Sequence, residues 1–147
     1  MPKKSEDTPA PDAPAVGTVT LLIDGKESSF KNTPGDSPRL NFFRKSSDKG
    51  VFIQRFADDL KTYVQISFIY DLEKGGFPKE ITEEKFIKYH RHSDDAYFVS
   101  QPQDVVIKVT SYKDNVVTGT YSGTLKEETK GTKITISGSF SAKLSEL

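Results

Sequence analysis

The chain has 147 residues, enough for one domain, and its 21 Lys plus Arg balance 21 Asp plus Glu. Zero formal net charge supplies no global pull toward nucleic acid or an anionic membrane surface. The absence of Cys excludes disulfides, thiolate metal sites and Cys nucleophiles, and no run approaches the ~18 apolar residues of a membrane-spanning helix.

Residues 1–15 stand apart, holding Pro2, Pro9, Pro11 and Pro14, four of the eight prolines. Between them lie Lys3, Lys4, Ser5, Glu6, Asp7, Thr8 and Asp12. Such a stretch cannot bury enough apolar surface to offset its ordering entropy, which predicts a disordered, extended stalk. No signal-peptide pattern follows Met1.

A single domain is expected over residues 16–147. The first strand runs over Thr18–Asp24 and ends in the turn Asp24-Gly25-Lys26, with a short strand at Glu27–Lys31. Asn32–Pro38 reads as a loop. Arg39–Lys45 and Gly50–Phe56 are strands joined at Ser46–Lys49. Ala57–Leu60 is one helical turn or a loop, and Thr62–Asp71 is a long strand with Val64, Ile66, Phe68 and Tyr70 on one face. Gly75-Gly76 and Pro78 break the chain.

Residues 81–91 carry helix signals. Thr82 is a candidate N-cap, Ile81 and Phe86 occupy the positions of a hydrophobic staple, and Glu83 and Glu84 fall in the first turn. Lys88, His90 and Arg91 fall near the other end, where the helix dipole favours cations. A strand is the alternative. Strands resume at Ala96–Ser100 and Asp104–Tyr112, followed by an Asp114-Asn115 turn.

The last two strands, Val116–Lys126 and Thr132–Leu144, share one nine-residue pattern. Residues 117–125 read Val-Thr-Gly-Thr-Tyr-Ser-Gly-Thr-Leu and residues 136–144 read Ile-Ser-Gly-Ser-Phe-Ser-Ala-Lys-Leu. Period-two alternation puts apolar residues, glycines and rings on one face and hydroxyls on the other. A hairpin placing Leu125 opposite Ile134 sets Gly123 against Ile136, Tyr121 against Gly138, Gly119 against Phe140 and Val117 against Ala142. Each ring then covers a strand glycine, an otherwise weak position. The fold class that follows is all-β: an antiparallel, lipocalin-like barrel or a β-sandwich of about 8–9 strands, with at most one short helix.

Residues that could carry chemistry are few. His90-Arg91-His92 with Asp94-Asp95 is the metal-like cluster. On a strand, His90 and His92 share a face and could hold a divalent ion with Asp94; on the expected helix they diverge. The helix therefore argues against a metal, and no metal or cofactor is expected. Asp58-Asp59 and Glu83-Glu84 are adjacent in sequence, unlike catalytic carboxylates held across a cleft. No nucleophile elbow, phosphate loop or helical zinc motif is present, so an enzyme is not expected. Phe42, Phe43, Phe52, Phe56, Tyr63, Phe68, Tyr70, Tyr89, Tyr97 and Tyr112 supply core rings or stacking platforms. Tyr63 should point opposite to Val64, Ile66, Phe68 and Tyr70.

The ending Val117–Leu125, a charged turn and then Ile134–Phe140 resembles the C-terminal hairpin of Bacteroidetes lipoproteins that have no established activity; Ile23-Asp24-Gly25-Lys26 is similar to their opening strand and turn. The resemblance implies a lipocalin-like barrel or β-sandwich at the cell envelope, lipid-anchored at the outer membrane, or else periplasmic or secreted. The lipidated Cys such an anchor needs would lie ahead of Met1. The expected function is non-catalytic binding of a ligand such as a glycan or a small apolar molecule, by a monomer without nucleic-acid partners; the alternative is a structural or adaptor module for another envelope protein.

Overall fold

A computed structural model describes residues 14–33, 41–43, 50–82 and 84–146, with the backbone alone described at 41–43 and 145–146. The strands are β1 (Thr18–Ile23), β2 (Lys26–Phe30), β3 (Asn41–Phe43), β4 (Gly50–Phe56), β5 (Tyr63–Ile69), β6 (Lys79–Glu80), β7 (Lys85–Arg91), β8 (Ala96–Val99), β9 (Val105–Lys113), β10 (Val116–Glu127), β11 (Lys133–Lys143) and β12 (Ser145–Glu146). Three short 3-10 turns, at Leu72–Lys74, His92–Asp94 and Pro102–Asp104, are the helical elements among the described residues. The all-β class expected from alternation is the one found.

The sheet order is β12-β3-β4-β5-β7-β8-β10-β11-β1-β2. Every pairing is antiparallel except that of β12 with β3. The sheet curls into a half-barrel. Its ends approach where Asn32, just past β2, exchanges two backbone hydrogen bonds with Phe56 of β4, at 2.8 and 3.1 Å. The sheet forks at β10, whose first part pairs with β9 and whose last residues pair with β8.

The C-terminal hairpin has the register that the repeated pattern dictates. Val117 faces Ala142, Gly119 faces Phe140, Tyr121 faces Gly138, Gly123 faces Ile136 and Leu125 faces Ile134. A Cβ built on Gly119 would lie 2.6 Å from Phe140 Cζ, and one on Gly138 would lie 2.8 Å from Tyr121 Cζ. Each ring therefore occupies the volume a side chain would need. Tyr121 also reaches the next strand, where its hydroxyl donates to the Thr20 carbonyl. Thr20 Oγ1 in turn accepts from the Ser139 backbone N–H at 2.9 Å. The β1–β11 ladder thus admits a buried phenol without orphaning its donor. Burial pushes the Tyr121 phenol well above its ordinary pKa.

Turn chemistry fixes the other hairpins. Asp24 and Gly25 both have positive φ (51° and 78°), the backbone a two-residue hairpin turn requires, and Asp114 and Asn115 repeat it at 55° and 64°.

Alternation places Val51 and Ile53, Val64, Ile66 and Phe68, Ile87 and Tyr89, and Phe98 in the core. From the fork and hairpin come Ile107, Tyr121, Leu125 and Phe140. Each fully buried ring or branched chain contributes about 1.5–3 kcal/mol. Arg55 is also buried, at 7% exposure. Its Nε donates to the Gly17 carbonyl at 2.9 Å and its Nη1 to the Gln54 carbonyl at 3.0 Å, which ties β4 to the approach of β1. Burial lowers its pKa.

The helix expected over 81–91 is absent. Residues 85–91 are strand β7, hydrogen-bonded to β5 on one side and β8 on the other. Ile87 and Tyr89 point to the core while Phe86 and Lys88 point outward, so period-two alternation overrides the local capping signals. Glu83 lies outside the described residues, as do the Ser46–Lys49 turn, the loop over 34–38, all but Asn41–Phe43 of the Arg39–Lys45 strand, and stalk residues 1–13. Val64, Ile66 and Phe68 share the core face as expected, while Tyr70 lies past the end of β5 and donates to the Gly75 carbonyl at 2.7 Å.

Candidate functional site

The outer face of β4, β5, β7 and β8 is built of three cross-strand rows. The first runs Phe56, Tyr63, His90, Tyr97. The second runs Gln54, Gln65, Lys88, Val99. The third runs Phe52, Ser67, Phe86. Rings thus stand at both ends of the face, with two amides and an ammonium between them.

The first row is a continuous ladder of rings. Centroids are 5.2 Å apart for Phe56 and Tyr63, 5.3 Å for Tyr63 and His90, and 4.2 Å for the stacked pair His90 and Tyr97. Phe56, Tyr63 and Tyr97 are half-buried, whereas His90 is 6% exposed. The position expected for Tyr63, opposite to Val64 and its companions, is the one it takes.

His90 serves as a structural ring in this ladder. Its Nδ1 lies 3.0 Å from the Lys61 carbonyl and its Nε2 lies 3.1 Å from Asp95 Oδ1. Both partners are oxygens, so the tautomer sets which of the two contacts the ring donates. The other members of the cluster hold turns. Arg91 forks onto Asp94 through two bonds of 2.9 Å, which holds Asp94 below the usual carboxylate range and raises the Arg91 pKa. His92 opens a 3-10 turn, and its backbone N–H donates to Thr62 Oγ1 at 3.1 Å. Among the described residues no group of His, Asp and Glu is placed to hold a metal.

Asp58 and Asp59 also divide between turn roles. Asp59 accepts from the backbone N–H groups of Lys61 and Thr62 and from the Thr62 hydroxyl, each at 2.8 Å. The two backbone donors are the main cause of its lowered pKa. Asp58 accepts from Asn32 Nδ2 at 3.1 Å, beside the closing bridge.

The third row borders a cleft of about 520 Å³ where β4 begins, β5 ends and β7 begins. Phe52, Phe68, Phe86, Ile69, Lys85 and Pro102 line most of it. Next to it, Gln54 and Gln65 sit directly opposite one another and are half-buried. Their amides, and the Ser67 hydroxyl, find no hydrogen-bond partner among the described residues. Lys88 Nζ lies 5.0 Å from the Tyr97 ring centroid.

The opposite outer face, on β1, β11, β10 and β9, is hydroxyl-rich. Two adjoining clefts of about 440 and 550 Å³ share Leu22, Ser122 and Ser137. Leu22 and Val106 flank the first, exposed by 37% and 40%.

The remaining rings divide as follows. Phe68 packs in the core, and so does Tyr89, which stacks on Phe98 at 5.7 Å. Tyr70 and Tyr112 pack against the core from its edge. The side chains of Phe42 and Phe43 lie outside the described residues. Sequence reasoning missed Gln54, Gln65 and Phe86 as members of one face; the signal was the alternation Phe86, Lys88, His90 within the misread helix.

The chain matches no protein-family model, no curated protein and no solved structure.

Proposed function

We propose that this domain is a non-catalytic binding module that takes a glycan along the outer face of β4, β5, β7 and β8. One observation carries the reading: half-buried rings at both ends of the face enclose the amides of Gln54 and Gln65, which are unpartnered among the described residues. A sugar presents apolar C–H faces and a rim of hydroxyls. It is recognised by flat aromatic platforms together with groups that both donate and accept, which side-chain amides do. Phe52 and Phe56 are four residues apart on β4, which spans about 13 Å at the rise of a strand. That length suits an oligosaccharide rather than one sugar. A purely apolar ligand would leave the amides unsatisfied, which is costly.

A chemical-shift titration of the full chain against a glycan panel tests the reading. Shifts should cluster at Phe52, Gln54, Tyr63, Gln65, Lys88 and Tyr97, and a Gln54→Ala, Gln65→Ala double variant should weaken them at least tenfold. Saturating panels that move no peaks, or move only those of β9–β11, would sink it.

A second reading, an adaptor for another envelope protein, rests on the exposed Leu22 and Val106 of the opposite face. In that case a Leu22→Lys, Val106→Lys variant loses the partner while any glycan binding persists. The placement at the cell envelope, lipid-anchored, rests on the proline-rich tail and the hairpin resemblance. Intact mass spectrometry of the natural protein decides it, since a chain without lipid would refute the anchor.

A further inference from the structure

We infer that the glycan is acidic and that a uronate carboxylate seats at Lys88, an inference that rests on the glycan reading above. Lys88 stands in the middle row, opposite Gln65 on β5 and Val99 on β8. Its Nζ lies over the Tyr97 ring, and no carboxylate lies within ion-pair distance of it among the described residues. The acids nearby are engaged elsewhere. Asp95 accepts from His90, Asp94 is forked by Arg91, and Asp59 accepts from Lys61 and Thr62. His90, next in the ladder, has its two ring nitrogens turned to the Lys61 carbonyl and Asp95 Oδ1, so neither faces the ammonium. The other polar groups of the face, Gln54, Gln65 and Ser67, are neutral and able to donate.

At the cleft end Glu84 stands beside Lys85, whose Nζ donates to the Ile81 carbonyl at 3.2 Å. Among the described residues, the cation of the middle row is therefore Lys88. A carboxylate on a sugar lying along the face beside Tyr97 would meet that ammonium, with the Gln65 amide alongside. A lysine acts as a point charge rather than a two-pronged fork, so it tolerates a carboxylate whose orientation is set by the sugar ring.

Calorimetric titration of the full chain with tetrasaccharides of galacturonate, mannuronate and glucuronate, each paired with its carboxyl-reduced counterpart, tests the inference. At least one acidic oligosaccharide should bind roughly fivefold or more tightly than its neutral twin at low salt, the scale of an exposed ion pair. That ratio should fall toward one in Lys88→Gln and at high salt, where exposed pairs are screened. Equal affinity within every pair, or a preference that survives Lys88→Gln, overturns the acidic ligand and leaves the glycan reading standing. Absence of binding by both members of every pair, and by the wider neutral panel, removes the glycan reading and this inference together.

Discussion

Replacing Gly138 with Ala tests the hairpin geometry where two expectations have opposite signs. By backbone preference alone, Gly→Ala inside a strand should stabilise by about 0.5–1 kcal/mol. The packing predicts the reverse. The new Cβ would sit 2.7 Å from Tyr121 Oη and 2.8 Å from Cζ, and it would press on the Thr20 carbonyl, a backbone atom that cannot rotate away. Overpacking of this kind costs about 1–3 kcal/mol. Displacing the Tyr121 hydroxyl from the Thr20 carbonyl leaves a buried polar group unpaired, at about 1–3 kcal/mol more. The sum, roughly 2–6 kcal/mol, is a large share of the ~5–15 kcal/mol that holds a domain together. Urea unfolding followed by far-ultraviolet circular dichroism reads it, and with a slope of about 1–3 kcal/mol per molar the midpoint should drop by about 2 M. Gly50→Ala is the control, because nothing lies within 4 Å of its added Cβ. That variant should stay within about 0.5 kcal/mol of the parent. A Gly138→Ala midpoint at or above the parent's would refute the ring-over-glycine packing.

Three further outcomes follow from the same geometry. Tyr121→Phe keeps the ring over Gly138 but removes the donor to Thr20, so it should cost about 1–2 kcal/mol in the same unfolding assay, with no change in strand content. Thr20→Val removes the acceptor of the Ser139 N–H and should cost a similar ~1–2 kcal/mol, with faster hydrogen exchange at the Ser139 amide. The Asp59 carboxyl has a folded pKa below its unfolded value, so the stability it contributes is present above the unfolded value and is lost as pH falls through the folded one. Asp59→Asn should therefore flatten the acid side of the stability profile below about pH 4, and an unchanged profile there would remove Asp59 from the account.

The hairpin register was legible because two independent codes agree. Period two sets the faces, and a glycine opposite each ring sets the pairing, so a shift by two residues would put the rings over Ile136 and Val117 in one direction and opposite each other in the other. Turn residues told the same story at Asp24-Gly25 and Asp114-Asn115. Residues 81–91 misled because their end charges and staple positions fit a helix as well as a strand. In so short a segment the local signals are weak, and hydrogen bonding to β5 and β8 on both sides decides. The misread strand hid the proposed binding face as well, since His90 and Lys88 join Tyr63 and Gln65 only once β7 lies between β5 and β8.

The amino-acid sequence by itself determined the all-β class, the inner and outer faces of most strands and the pairing of the last two, because each follows from alternation and turn geometry within a few residues. Only the tertiary structure decided the curl that brings Asn32 to Phe56, the fork at β10 and the row Phe56, Tyr63, His90, Tyr97. Those features depend on which strands become neighbours, and distant segments compete for that choice through packing and closure that no local pattern encodes.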